Sequence, residues 1–149
     1  MRRDALCLTV FLLGLALGGS CASAPPTPAE LARGEVTTTS GVKFEDTFLG
    51  SGPAAVAGDE VVFDYTAWLE NGTRVDATED RGAPVRVIVG SAPLKGWNDG
   101  LLGIQPQGNR RIIVPPELAY GAQGVPGLVP PNSTLIFDVH AIDVTRPQK

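Results

Sequence analysis

Residues 60–72 have the sequence EVVFDYTAWLENG, and this stretch decides the fold class. Every second side chain falls on one face, which carries Val61, Phe63, Tyr65, Ala67 and Leu69. Such alternation is typical of a β-strand with one face in the core. The Asn-Gly pair at its end is a strong signal for a hairpin turn. The stretch therefore predicts a β-hairpin whose second strand begins at residues 73–75.

The rest of the domain is predicted to contain more strands and one helix. Alternating or apolar runs bounded by Gly and Pro predict strands at residues 41–46, 84–89, 109–114 and 135–144. The spacing of Leu94, Trp97, Leu101 and Ile104 predicts a short amphipathic helix within residues 93–104. Its glycines at 96, 100 and 103 keep the helix short and allow a neighbouring backbone to approach closely.

A long irregular loop is predicted for residues 117–133, which are rich in Gly and Pro. The strands follow one another without the regular strand–helix–strand alternation of a parallel sheet. The predicted class is therefore α+β.

The composition bounds the class of protein. A chain of 149 residues suits one domain, and 43% hydrophobic residues exclude an intrinsically disordered protein. The 18 Gly and 13 Pro argue against a helical bundle. A net charge of −4 gives no electrostatic footprint for nucleic acid. One His and two Cys do not build a usual zinc site, so neither a metal nor another cofactor is expected.

The first 24 residues are predicted to be an export signal. A short basic start is followed by an apolar run from residue 5 to residue 17, which is too short to span a bilayer comfortably. The small residues before Cys21 resemble a bacterial lipoprotein signal, in which this cysteine would be lipidated. Cleavage after Ala24 is the alternative. Residues 25–40 are then expected to be a flexible linker, and residues 41–149 the folded domain.

Nothing in the sequence indicates covalent or metal chemistry. The chain has no nucleophile elbow, no phosphate-binding loop and no zinc-protease motif. The side chains that draw attention are aromatic and lie beside turn residues: Tyr65, Trp97, Tyr120 and Phe137. In an arbitrary domain such residues are more often plain core residues than a binding pocket.

Five blocks, in order, make the chain resemble one family. They are the strand and hairpin at 62–73, Val75-Asp76, Lys95-Gly96-Trp97, residues 118–122 with the sequence LAYGA, and residues 124–139 with the sequence GVPGLVPPNSTLIFDV. The resemblance covers about residues 41–145. The chain is similar to the FKBP family of peptidyl-prolyl cis-trans isomerases. The resemblance implies a twisted antiparallel β-sheet wrapped around one short α-helix.

The resemblance also implies a site and the role of each residue in it. Trp97 would form the floor of an aromatic pocket, with Tyr65 and Phe137 among its walls. Asp76 and Arg81 would brace the Tyr65 hydroxyl, and the Leu94 amide and the Tyr120 hydroxyl would donate hydrogen bonds to the substrate. The further wall residues implied are Val75, Val85, Leu94, Leu128 and Val129.

The chain departs from the family pattern at three places. Val75 and Val85 stand where well-characterised members have Phe, so the pocket is expected to be wider and less complementary to proline. One residue is missing before Gly96, and Pro93 lies in that segment, which is expected to shift the Leu94 amide. We therefore expect reduced isomerase activity and weakened binding of macrolide inhibitors.

Three functional hypotheses follow. The first is an isomerase that assists the folding of exported proline-containing polypeptides in the periplasm or at the outer membrane. It would be a monomer, touching a membrane only through its lipid anchor. The second is a non-catalytic binding or chaperone module with the same fold, and the two valines favour it. The third is an unrelated β-domain of the cell envelope, with a structural or adhesive role.

Overall fold

The computed structural model of the chain describes residues 35–148. The signal and lipidation predictions for residues 1–24 lie outside this range. The strands are β1 (Val36–Thr37), β2 (Lys43–Phe48), β3 (Glu60–Leu69), β4 (Arg74–Ala77), β5 (Val85–Ile88), β6 (Asn109–Val114) and β7 (Leu135–Thr145). The helices are α1 (Thr78–Arg81) and α2 (Lys95–Gly100), and a 3-10 turn covers Pro116–Leu118.

All seven strands join one antiparallel sheet in the order β1-β2-β6-β7-β3-β4, with β5 also paired to β3. At the centre lies the long ladder between β3 and β7, which runs from the pair Glu60–Thr145 to the pair Leu69–Leu135. On its other edge, β3 pairs first with β5 and then with β4. The predicted α+β class and antiparallel sheet are confirmed.

The alternation in β3 buries one face of the strand, as predicted. Its five residues on one face are all buried: Val61, Phe63, Tyr65, Ala67 and Leu69. They pack with β7 residues such as Phe137 and Val139 and with α2 in one hydrophobic core. Burial on this face fixes the register, because a slip of one residue would turn the whole apolar set outward.

The helix α2 rests on β6 through Gly96 and Gly100, although the groups that approach these glycines are β6 side chains and not the backbone that the sequence predicts. A Cβ atom on Gly96 would lie 2.3 Å from Val114 Cγ1, and one on Gly100 would lie 2.6 Å from Ile112 Cγ2. These distances are far shorter than any real carbon–carbon contact, so only glycine allows the helix to lie this close to the strand.

The helix is shorter than the predicted range 93–104. It begins after Leu94, which is extended at φ −97° and ψ 118°. It ends at Gly100, whose carbonyl accepts a hydrogen bond from Arg110 Nη1 at 2.9 Å instead of continuing the helical pattern. Leu101 and Ile104 are nevertheless buried as predicted, within the turns that follow.

Arg110 is a buried cation that connects three parts of the fold. Only 3% of the residue is exposed. Its Nε and Nη2 atoms donate to the two carboxylate oxygens of Asp46 on β2, at 2.5 and 3.0 Å. Its Nη1 also donates to the Leu102 carbonyl at 2.6 Å, and its guanidinium lies 4.3 Å from the ring centroid of Phe44. The end of α2 is thereby tied to the sheet.

Two elements differ from the sequence predictions. The strand β1 pairs Val36 with Phe44, so sheet pairing begins inside the range predicted as linker and before residue 41. The helix α1 lies in a segment for which no element was predicted, because four residues are too few to show a helical period. Within residues 35–148, no helix is long and apolar enough to cross a membrane.

Candidate functional site

Four aromatic rings meet on the core face of the sheet. The Trp97 ring lies 5.3 Å from the Tyr65 ring and 5.4 Å from the Phe137 ring, and Tyr65 and Phe137 are 5.8 Å apart, measured between centroids. Phe63 adds an edge contact to Trp97 at 5.4 Å. All these pairs are steeply tilted, which suits the quadrupoles of aromatic rings. We call Phe63, Tyr65, Trp97 and Phe137 the aromatic cluster.

Secondary structure explains why these rings meet. Phe63 and Tyr65 are two residues apart on β3 and therefore face the same way. Phe137 lies opposite Ala67 in the β3–β7 ladder, so a small side chain makes room for the ring. Trp97 comes from α2 on the same side and is 6% exposed. Its indole Nε1 is buried and has no hydrogen-bond partner among residues 35–148.

The hydroxyl of Tyr65 is held by a charged pair. It donates to Asp76 Oδ2 at 2.5 Å and accepts from Arg81 Nη2 at 3.1 Å, and Arg81 also forms an ion pair with Asp76. Burial, followed by the hydrogen bond to the Asp76 carboxylate, raises the pKa of Tyr65 to about 12. Tyr65 is therefore a neutral hydrogen-bonding group at any physiological pH, and its ring is fixed in the cluster.

The helix α1 brings Arg81 to this hydroxyl, and Thr78 fixes where the helix begins. The Thr78 Oγ1 donates to Asp64 Oδ1 at 2.8 Å and accepts from the Tyr65 backbone N–H at 3.1 Å. The helix then stops at Gly82, whose φ of +67° is a conformation that favours glycine. This short helix is therefore bonded to β3 at its first residue, Thr78, and to the Tyr65 side chain at its last residue, Arg81.

Four of the predicted wall residues lie at the core. Leu94 and Val129 are buried within the hydrophobic core that contains Trp97. Val75 and Val85 are partly buried and pack against the same core. The structure therefore brings a large part of the predicted set together on one side of the sheet.

Tyr120 and Leu128 are placed differently. They are 45% and 47% exposed. Within the described part of the chain, Tyr120 is outside the mutual ring contacts of the aromatic cluster. Leu128 and Val129 line a cavity of about 490 Å³ between the 123–131 loop and the turn at the end of β3. The loop is internally bonded, since the Val125 and Val129 backbones exchange hydrogen bonds at 2.8 and 2.9 Å.

Two members of this arrangement were missed by sequence reasoning. Phe63 was assigned to the core face of β3 but not to the site, although its position two residues before Tyr65 could have indicated it. Thr78 carries no sequence signal, because its partners Asp64 and Tyr65 are distant in the chain.

The arrangement packs aromatic rings beside a hydrogen-bonded phenol, and the rings are almost wholly buried: Tyr65 and Trp97 are each 6% exposed and Phe137 is 3% exposed. Across residues 35–148, no cluster of three or more His, Cys, Asp or Glu could hold a metal ion. The polar groups present are a neutral phenol, a paired carboxylate and a paired guanidinium.

The comparisons with known proteins agree on one family. A family model described as FKBP-type peptidyl-prolyl cis-trans isomerase matches residues 52–142. The FK506-binding protein of Neisseria meningitidis serogroup B is 42% identical over 105 residues, which cover 70% of this chain and 96% of that protein. A probable FKBP-type peptidyl-prolyl cis-trans isomerase of Haemophilus influenzae is 40% identical over 118 residues, covering 78% of this chain and 48% of that protein.

A solved structure agrees with them. FkpA from Escherichia coli superposes with a TM-score of 0.70 at 37% sequence identity, covering 79% of this chain and 55% of that one. The third hypothesis, an unrelated β-domain, is thereby excluded.

Proposed function

Because the chain belongs to the FKBP-type peptidyl-prolyl cis-trans isomerase family, we propose that it isomerises Xaa-Pro bonds in exported polypeptides at the aromatic cluster. The observation that carries the proposal is the meeting of Tyr65, Trp97 and Phe137 beside the Tyr65–Asp76–Arg81 network. Proline is itself an apolar ring, and this supports the assignment of its binding site to an aromatic cluster.

The reaction needs no nucleophile. Rotation about an amide bond is opposed by a barrier of roughly 18–20 kcal/mol, because resonance must be broken. Water favours the planar form by hydrogen-bonding its charged oxygen. A dry aromatic site removes that stabilisation and can bind the twisted amide better than either planar isomer. The lack of a catalytic base in the cluster is consistent with this mechanism.

Each residue has a distinct proposed role. Trp97 is the floor for the proline ring, and Tyr65 and Phe137 are the side walls. Asp76 and Arg81 fix the Tyr65 hydroxyl at the rim. The Leu94 amide and the Tyr120 hydroxyl hold the substrate carbonyls, which is compatible with the exposure of Tyr120. The remaining walls are Val75, Val85, Leu128 and Val129.

The cellular setting is part of the proposal. The apolar run before residue 18 and the small residues before Cys21 support export, with lipidation of Cys21 or cleavage after Ala24. Xaa-Pro isomerisation without catalysis takes tens to hundreds of seconds, so an envelope enzyme of this class has slow-folding clients to act on. We propose a monomer in the periplasm or anchored at the outer membrane.

A non-catalytic binding module is the second candidate. Val75 and Val85, only partly buried against the core, are the observation that favours it. Two valines leave a wider opening than two phenylalanines, so the site could hold a partner without fitting the twisted amide closely.

The direct test is the cis-to-trans relaxation of a short Leu-Pro peptide, measured with the purified chain and with or without a macrolide of the FK506 type. Acceleration that the macrolide inhibits, at a higher concentration than a Phe-containing relative requires, would support the isomerase. A folded chain that gives no acceleration would favour the binding module.

A further inference from the structure

The side chain of Asn98 closes the turn that leads into α2. Its Oδ1 accepts hydrogen bonds from the backbone N–H groups of Gly90, at 3.1 Å, and Ala92, at 2.7 Å. A carbonyl oxygen has two lone pairs, so these two bonds use its full accepting capacity. A residue of the helix thereby holds the chain segment that enters the helix.

The other end of this turn is held by backbone bonds. The Val89 N–H donates to the Asp59 carbonyl at 2.9 Å, and the Gly58 N–H donates to the Val89 carbonyl at 2.8 Å. The chain reverses at Gly90, which has a φ of +96°. Pro93 has no N–H to donate. The two N–H groups of the turn that point toward α2 are therefore bound by one side chain, that of Asn98.

Asn98 and its neighbour Trp97 both form hydrogen bonds to the segment that precedes α2, residues 90–94. The Trp97 N–H donates to the Leu94 carbonyl at 3.0 Å. Leu94 itself is extended and has no side-chain cap. The Trp97 bond thus fixes the Leu94–Lys95 peptide plane and the Asn98 bond fixes the Ser91–Ala92 plane. The Pro93–Leu94 peptide, which carries the Leu94 N–H, lies between these two held planes. The orientation of the Leu94 N–H depends on both.

We propose that Asn98 is a positioning residue of the isomerase, which directs the Leu94 N–H toward the carbonyl of the bound Xaa-Pro segment. It does so through Gly90 and Ala92 and does not touch the substrate. The inference rests on the proposed function.

The test compares three variants of the full chain. Asn98→Ala removes the acceptor, Asn98→Asp retains an oxygen in the same place, and Asn109→Ala removes a hydrogen-bonded Asn oxygen paired with His140 on β7. We expect Asn98→Ala to lower kcat/KM for a Leu-Pro peptide about tenfold, mainly through kcat, because a misdirected donor weakens transition-state binding. Asn98→Asp and Asn109→Ala should stay within about twofold of the wild type.

Amide hydrogen exchange provides an independent measurement. The N–H groups of Gly90 and Ala92 should exchange faster in Asn98→Ala and stay protected in the other two variants. If Asn98→Ala does not fold, Asn98→Ser replaces it, because a short hydroxyl does not reach both N–H groups.

Two results would overturn this inference and leave the proposed function standing. The first is an unchanged kcat in Asn98→Ala although its Gly90 and Ala92 N–H groups exchange faster. The second is a loss of kcat in Asn98→Asp equal to that in Asn98→Ala although these N–H groups stay protected. A wild-type chain without activity would overturn the proposed function as well.

Discussion

The Tyr65 hydroxyl lies between the Asp76 carboxylate and the Arg81 guanidinium, and its raised pKa makes the stability of the fold depend on pH. A tyrosine whose folded pKa of about 12 exceeds its unfolded value of about 10 stabilises the fold fully below the unfolded value. That contribution is lost as the pH rises from about 10 to 12.

We therefore expect the free energy of unfolding of the wild type to fall in this range by more than that of Tyr65→Phe, which has no phenol to ionise there. Urea unfolding between pH 9 and 12 measures both. Parallel curves for the two proteins would contradict the assigned pKa.

A substitution at Val75 can distinguish an isomerase from a non-catalytic binding module. This valine is half-buried against the core that holds Trp97. If the chain is an isomerase whose site is widened at this residue, Val75→Phe should raise kcat/KM for a Leu-Pro peptide several-fold, because a ring fills space beside the proline. Val56→Phe, at an exposed valine outside the proposed site, is the matched control and should change nothing. An inactive wild type whose Val75→Phe variant is also inactive would support the binding module.

At this scale the sequence allows part of the site to be predicted. The pattern of each element predicted Tyr65, Trp97 and Phe137 as apolar-face residues, and only the resemblance to the FKBP family implied that they form one site; the contacts between their rings agree with that placement. Thr78 and Asn98 were not predictable. Each of them hydrogen-bonds backbone N–H groups whose position only the folded chain determines.

Among the elements, α2 shows how strongly a helix can depend on glycine. Its approach to β6 leaves no room for a methyl group at Gly100, where Ile112 is the neighbour. We expect Gly100→Ala to destabilise the protein by about 1–3 kcal/mol through overpacking, although alanine is the better helix former. Lys95→Ala, at an exposed site of the same helix, should stay within about 0.5 kcal/mol of the wild type. Equal midpoints of urea unfolding for the two variants would show that β6 yields without strain.

Strand positions follow from the sequence more closely than helix ends do. The bounds of β6 agree with the predicted range, β7 ends one residue later than predicted, and β2 is shifted by two residues. The presence of a strand and its buried face are indicated by alternation, which can be read locally. The end of α2 depends instead on Arg110, whose side chain takes the Gly100 carbonyl from outside the helix. No local pattern around residue 100 contains that information.

For the molecule as a whole, Arg110 is expected to be the most sensitive charged residue. Arg110→Met would leave the Gly100 and Leu102 carbonyls and the partly exposed Asp46 carboxylate without their partner, and a buried acceptor left unsatisfied, such as the Gly100 carbonyl, costs roughly 1–3 kcal/mol. Arg86→Met breaks an exposed pair with Glu60 and should cost only about 0–1 kcal/mol. Urea unfolding of both variants checks the contrast. Similar losses of unfolding free energy in the two variants would mean that water reaches the Arg110 site.

The central position of β7 also determines the order in which the molecule can be assembled. In the sheet order, β7 lies between the group β1-β2-β6 and the group β3-β4-β5. It pairs with β3 over its whole length, joining residues as far apart as Glu60 and Thr145. Such long-range pairing gives a high contact order and slow folding. Until residues 135–145 are available, the chain has two separate half-sheets, each with an open inner edge that can pair with another chain. A protein proposed to speed the folding of others would therefore itself be vulnerable to aggregation until its last strand is in place.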